Sequence, residues 1–144
     1  MQKNKSIRIK LLPNGITPVF KTEDASCADC WARIEKEVII GVGKRAKIPL
    51  GFCIELPKGY EAVIRGRSGL SSKGIDVAIG TIDADYRGEV MAMIINNSSN
   101  DFKISPNDRI CQMKIQQAEQ FDFEVVEELT ETERGEGGFG HTGV

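Results

Sequence analysis

Apolar residues in this chain recur in short runs broken by Gly, Pro and Asn, and almost nowhere at helical spacing. Short runs bounded by turn formers are the mark of strands. The pattern predicts strands at Ile7–Leu11, Pro18–Phe20, Glu37–Val42, Gly51–Leu56, Glu61–Arg65, Glu89–Ile95, Phe102–Ile104, Arg109–Ile115 and Phe123–Val126. Pro57-Lys58-Gly59 and Pro106-Asn107-Asp108 read as turns, with Pro and Gly where φ must be set. One short helix is predicted over Ser68–Lys73, starting near Ser68 and stopped by Gly74. Val90 to Ile95 is apolar on both alternating faces, so both must be covered, by a second layer of a sandwich or by another subunit. The class predicted is all-β.

Composition narrows this picture without changing it. The chain has 144 residues, 40% apolar and 6% aromatic, which suits one domain with a modest core. A net charge of −2 supplies no basic field for nucleic acid or an anionic membrane, so neither is expected as a partner. An anionic ligand would have to be held by a few local arginines. No apolar run approaches the length of a membrane span, and Met1 to Ser6 lead into the first strand without a signal-like apolar stretch. The expectation is an intracellular, soluble protein of cytoplasm or nucleus, in a host cell if its source is a virus or phage. Cys27 and Cys30 form a C-x-x-C, but a closed zinc site wants four ligands and the sole histidine is His141 in the tail. The cysteines read as small buried residues.

Candidate chemistry gathers at four places. Gly80 to Glu89 holds Asp83 and Asp85 on one face of an extended segment, followed by Tyr86. Like charges so close repel, which favours a base working near neutral pH; an ordinary solvated turn would look similar. Arg67, Ser68 and Gly69 open the short helix, where backbone N–H groups and a guanidinium could receive an anion, or merely cap the helix. Gln112 is an amide inside an apolar strand and needs partners. Arg109 reads equally as an ion-pair partner or a ligand. From about Thr130 composition shifts to a glycine-rich tail, which lacks the Lys-Ser/Thr and the following helix of a P-loop. A disordered end is one reading; a segment whose Arg134 and Phe139 close over a ligand is the other.

These pieces, in this order, resemble the five motifs of the trimeric all-β dUTP pyrophosphatases, the dUTPases. The motifs are Ala25-Ser-Cys-Ala-Asp29-Cys-Trp-Ala32, Gly66-Arg67-Ser68-Gly69-Leu70, Gly80-Thr-Ile-Asp83-Ala-Asp-Tyr86-Arg-Gly88, Asp108-Arg-Ile-Cys-Gln112 and Arg134-Gly-Glu-Gly-Gly-Phe139-Gly-His-Thr-Gly143. Together they span residues 25 to 143. Departures from the usual pattern fall at Cys27, Ala28, Cys30 and Gly66.

The resemblance implies a distorted jelly-roll or β-sandwich with one short helix and a flexible glycine-rich C-terminal arm. Residues 1–129 would form the jelly-roll and 130–144 the lid, within one domain. It implies a homotrimer with sites at subunit interfaces, hydrolysing dUTP to dUMP and pyrophosphate by water attack at the α-phosphate. The reaction would supply dUMP for dTMP synthesis and keep uracil out of DNA. Asp83 would be the base. Tyr86 would pack on the deoxyribose. Ala78, Ile79 and Gly80, in a hairpin from Ile75 to Gly80, would read the uracil edge, with Ile82 beside them. Arg67, Ser68, Gly69 and Gln112 would hold the phosphates. Arg134, Gly138, Phe139 and Gly140 would close over the nucleotide. Asp29 would meet, through water, the Mg2+ cofactor that arrives with the triphosphate. Two rivals share the fold: a dCTP deaminase, which does not normally carry Asp-Tyr-Arg-Gly, and a nucleotide- or protein-binding trimer without catalysis.

Overall fold

A computed structural model describes residues 5–143. Eleven strands and one helical turn follow in chain order. They are β1 (Arg8–Leu11), β2 (Ala28–Trp31), β3 (Val38–Ile40), β4 (Arg45–Pro49), β5 (Phe52–Glu55), β6 (Tyr60–Arg65), α1 (Ser68–Ser71), β7 (Ile75–Val77), β8 (Gly80–Ile82), β9 (Met91–Asn96), β10 (Phe102–Ile104) and β11 (Arg109–Gln117). All pairings are antiparallel. A four-stranded sheet runs β2-β11-β6-β8 and a three-stranded sheet runs β4-β9-β7, with the pairs β1-β5 and β3-β10 completing the roll. Between the sheets lie Phe52, Ile40, Ile48, Leu50, Ile64, Ile94, Ile104 and Ile110, all but sealed from water. Each such side chain contributes about 1.5–3 kcal/mol by leaving water. Among the described residues no helix is long and apolar enough to cross a membrane.

β9 shows how the pattern works. Val90, Ala92, Ile94 and Asn96 face the core and are buried, whereas Met91, Met93 and Ile95 on the other face are only half-buried. The second apolar face therefore has no full cover within one chain. Asn96 is an amide in an apolar core, and every one of its polar atoms is engaged. Its Nδ2 donates to the carbonyls of Ile40 and Asn100, each at 2.8 Å, and its Oδ1 accepts from Ser98 N and Oγ. Burial of an amide costs little when its bonds are made.

Several expectations need correction. Pro18–Phe20 shrinks to a single bridge between Val19 and Asp29. Phe123–Val126 forms no strand: its alternation is present, but Phe123 and Val125 are 98% and 97% exposed with nothing in the chain to pack against. β2 and β4 form where no strand was expected. The stretch Ile75–Gly80 is not a self-paired hairpin, because β7 pairs with β9 and β8 with β6, in different sheets. The helix is one turn, Ser68–Ser71, and Gly74 at φ 86° then redirects the chain as expected. Arg67 stands at its N-cap position with no side-chain capping bond.

Candidate active site

The sheet β2-β11-β6-β8 carries the candidate residues in two groups. At one end of β6, where the chain turns into α1, Gln112 Nε2 donates to the carbonyl of Gly66 at 2.9 Å. Arg67 NH1 donates to the carbonyl of Arg109 at 3.0 Å. Gln112 lies directly across from Asp29, whose Oδ2 pairs with Arg109 NH1 at 3.0 Å. β2 and β11 thus bring Asp29, Arg67, Arg109 and Gln112 together, with Ser68 and Gly69 beginning α1 beside them. Arg109 is an ion-pair partner here, and the Gln112 amide owes its place in an apolar strand to the Gly66 carbonyl. Asp29 is buried and held by Arg109. Among the described residues no cluster of three or more His, Cys, Asp or Glu side chains could hold a metal ion.

The second group follows β8. Asp83 begins a turn closed by Tyr86 N donating to the Asp83 carbonyl at 3.1 Å, and Arg87 NH1 donates to the Ala84 carbonyl at 2.7 Å. Asp83 and Asp85 are exposed on either side of half-buried Ala84, but on a turn and not on the extended segment expected, because β8 ends at Ile82 and the Tyr86 N–H closes back on Asp83. They open onto a groove of about 950 Å³ lined also by Tyr60, Glu61 and Gln117. Tyr86 Oη donates to the Glu89 carbonyl at 2.9 Å, curling the ring back over Gly88. A Cβ at Gly88 would overlap the Tyr86 hydroxyl, so only glycine leaves the ring this position.

Glu89 is the anchor of this turn. Arg33 grips its carboxylate with a fork, Nε to Oε2 at 2.9 Å and NH2 to Oε1 at 2.7 Å, and Gly51 N adds a third bond to Oε2 at 2.8 Å. The Arg33 hydrogen bond holds the Glu89 carboxyl below the usual carboxylate range, and Glu89 in turn raises the Arg33 guanidinium. Both stay charged through neutral pH. Neither was expected from the sequence: Arg33 lies beyond the first motif, and Glu89 ends a turn whose other residues had drawn attention.

The two groups do not meet within one chain. Ile82 lies opposite Ala62 and Gln112 opposite Arg65. Three residues along β6 and two strand spacings across it separate Ile82 from Gln112 by about 14 Å. The link between β7 and β8 is similarly bare. Ala78 N donates to the Met93 carbonyl at 3.0 Å and Ile79 is largely exposed. Ala78 has therefore spent its N–H on β9. The tail makes its own bonds: Arg134 Nε donates to the Gly137 carbonyl at 2.8 Å, and Gly137, His141 and Gly143 donate to Arg134, Gly138 and Gly140. It encloses a hollow of about 690 Å³ that includes Arg134, Gly138, Phe139 and Gly140 but no residue of either group on the sheet.

Comparison with known proteins bears on what this arrangement is for. The sequence profile of the dUTPase family matches residues 23–143. The chain belongs to the dUTPase family. It is 44% identical over 142 residues to the deoxyuridine 5'-triphosphate nucleotidohydrolase of Finegoldia magna, covering 95% of this chain and 99% of that one. It is 46% identical over 138 residues to the enzyme of the same name from Chlamydia trachomatis serovar L2, covering 93% and 95%. Its fold superposes with a TM-score of 0.90 on the dUTPase of Staphylococcus bacteriophage 80alpha, solved with dUPNHPP. That match covers 98% of this chain and 100% of the phage chain at 25% identity. The strands, the single helical turn and the roll of antiparallel sheets are those of this family's jelly-roll.

Proposed function

We infer that this dUTPase-family chain hydrolyses dUTP to dUMP and pyrophosphate, and does so at centres assembled from more than one copy. The observation that carries the second part is the separation along and across β6. One α-phosphate cannot lie against both Asp83 and the Arg67–Gln112 group if they stand about 14 Å apart at Ile82 and Gln112. A neighbouring copy supplies the missing half. Two further features support this reading: the half-buried Met91, Met93 and Ile95 face of β9, and the exposed alternation of Phe121, Phe123 and Val125 beyond β11. Both are apolar surface that a subunit interface would cover. The assembly is a homotrimer.

In the mechanism, Asp83 orients a water and takes its proton as the water oxygen bonds to the α-phosphorus. The bond from that phosphorus to the bridging oxygen of the β-phosphate breaks, and pyrophosphate leaves. Arg67, Ser68 and the Gly69 backbone meet the phosphates, and Gln112 lies near the α-phosphate. Little covalent work falls to the protein; fixed charge and position account for the rate. Tyr86 packs on the deoxyribose and leaves no room for a 2′-hydroxyl. Backbone groups at Ile79 and Gly80, close to Ala78 and Ile82, read the uracil edge, where a wrong base leaves buried polar groups unpaired. Arg134 and Phe139, flanked by Gly138 and Gly140 in the 130–144 lid, close over phosphate and base.

The donor set suits a visiting Mg2+ better than a resident one. Asp29 is a lone carboxylate whose Oδ2 is taken up by Arg109, and Mg2+ keeps most of its waters while leaning on substrate phosphates. When bound, the ion would neutralise phosphate charge, with Asp29 meeting it through water.

The test is pyrophosphate release from dUTP, dCTP, dTTP and UTP in parallel, with and without a chelator, following ammonia from dCTP as well. Release from dUTP alone, slowed by the chelator, is expected. Ammonia from dCTP would assign a deaminase instead, and binding of dUTP without turnover would leave a binding module.

A further inference from the structure

Tyr86 is held by a chain of contacts that reaches outside the five motifs, and the residue at its far end is Arg33. The Tyr86 hydroxyl rests on the Glu89 carbonyl at 2.9 Å. The Glu89 side chain is fixed at both oxygens by the Arg33 fork and at Oε2 by Gly51 N. Gly51 stands at φ 83°, and a Cβ there would press on the Arg33 side chain as well as on Gly15, so its glycine keeps open the space the fork occupies. Around the fork the backbone is pinned. Arg33 N donates to the Pro49 carbonyl at 2.8 Å, Leu50 N to Val90 at 3.0 Å and Val90 N to Phe52 at 2.9 Å. The turn bearing Tyr86 is thus fastened at one end by β8 and at the other by a planar, bidentate, half-buried ion pair. Such a pair fixes geometry as well as energy, because a guanidinium fork meets a carboxylate in one plane.

We propose that Arg33 and Glu89 are positioning residues for sugar selection: their ion pair sets where the Tyr86 ring stands, and so how strongly a 2′-hydroxyl is rejected. The proposal rests on the reading that Tyr86 packs on the deoxyribose. Neither side chain need touch the nucleotide. Glu89 acts through its own carbonyl, and Arg33 acts through Glu89. A loosened turn lets the ring move by a fraction of an ångström, and exclusion of one hydroxyl by shape depends on distances of that size.

The experiment compares kcat/KM for dUTP with kcat/KM for UTP in the full-length protein and in Arg33→Met, Glu89→Gln and Gly88→Ala. The last displaces the ring without touching the ion pair. The dUTP-to-UTP ratio is expected to fall about tenfold in each, with Arg33→Met plus Glu89→Gln falling no further than either alone, because the two act as one unit. Arg33→Lys, which keeps the charge and loses the fork, is expected to restore only part of the ratio. A purely structural role would lower melting temperature and both rates together and leave the ratio unmoved; that result in Arg33→Met and Glu89→Gln overturns the proposal. If Arg33→Met fails to fold, Glu89→Gln and Gly88→Ala carry the comparison. Tyr86→Ala separates the two levels. A ratio that collapses there but holds in the ion-pair variants defeats the positioning role alone. A ratio unmoved by Tyr86→Ala defeats the sugar-packing reading and the proposal with it.

Discussion

Asp83→Asn is expected to lower kcat for dUTP by about 10³-fold while the dissociation constant for dUTP stays within a few-fold. Asparagine keeps the size and the backbone turn, in which the Asp83 carbonyl accepts from Tyr86 N. It keeps one oxygen to orient water but cannot take the proton. Binding should survive because, in the proposed reaction, the phosphate contacts come from Arg67, Ser68 and Gln112. Asp85→Asn is the control, since Asp85 shares the exposed side of the turn with Asp83 and has no role in the proposed reaction. Single-turnover hydrolysis with separate titration of dUTP binding reads both quantities. A kcat for Asp83→Asn within about tenfold of wild type, roughly 1.4 kcal/mol of barrier, means that another group takes the proton. A large loss in Asp85→Asn with Asp83→Asn nearly normal would exchange their roles.

The second large effect tests the shared centre directly. Asp83→Asn and Arg67→Ala should each be nearly inactive, yet unfolding and refolding them together in equal amounts is expected to recover about a quarter of wild-type activity. The arithmetic follows from closed symmetry, in which each centre takes one group from one subunit and the other from its neighbour. With random assembly, half the centres draw a sound Asp83, and half of those draw a sound Arg67. If both groups served one active centre within a chain, no mixture could exceed the sum of its inactive parts. Pyrophosphate release from the refolded mixture, set beside each variant refolded alone, decides between them.

The sequence made the strands legible where apolar and charged residues alternate along the chain, as at Phe102–Ile104 of β10 and at Ile9 and Leu11 of β1, although all four β1 residues are exposed in one chain. β10, β1 and the start of β11 lie almost where the pattern put them. β2 was hidden because Ala28, Asp29 and Cys30 are all buried, so no alternation survives, and a carboxylate inside a strand reads as a loop until Arg109 is seen against it. β4 was hidden by Arg45 and Lys47, which are charges on the exposed side of an otherwise ordinary strand. Phe123–Val126 shows the converse: period-two apolarity marks a segment that wants a partner, and here the partner is not in the chain. Motif order made Arg67, Asp83 and Gln112 stand out, but it could not say that β6 keeps them apart. That fact lives in the register of β8 and β11 on β6, which depends on pairs far apart in sequence. Arg33 gave no local signal at all, since its partner is 56 residues away.

Cys30 and Cys111 sit directly opposite each other on β2 and β11, both sealed from water, with the Cys30 thiol pushed up by its hydrogen bond with Cys111 and by burial. Cys27 and Cys53 are only half-buried. Enclosed by the two sheet strands, the first two are closed to an alkylating reagent until their strands part. The slow third and fourth additions to the native protein therefore form a clock for the opening of this strand pair. Because Asp29 and Gln112 are the very next rung of the same ladder, that clock would report how often the end of the sheet proposed to hold phosphate comes undone, with no label introduced and no residue changed.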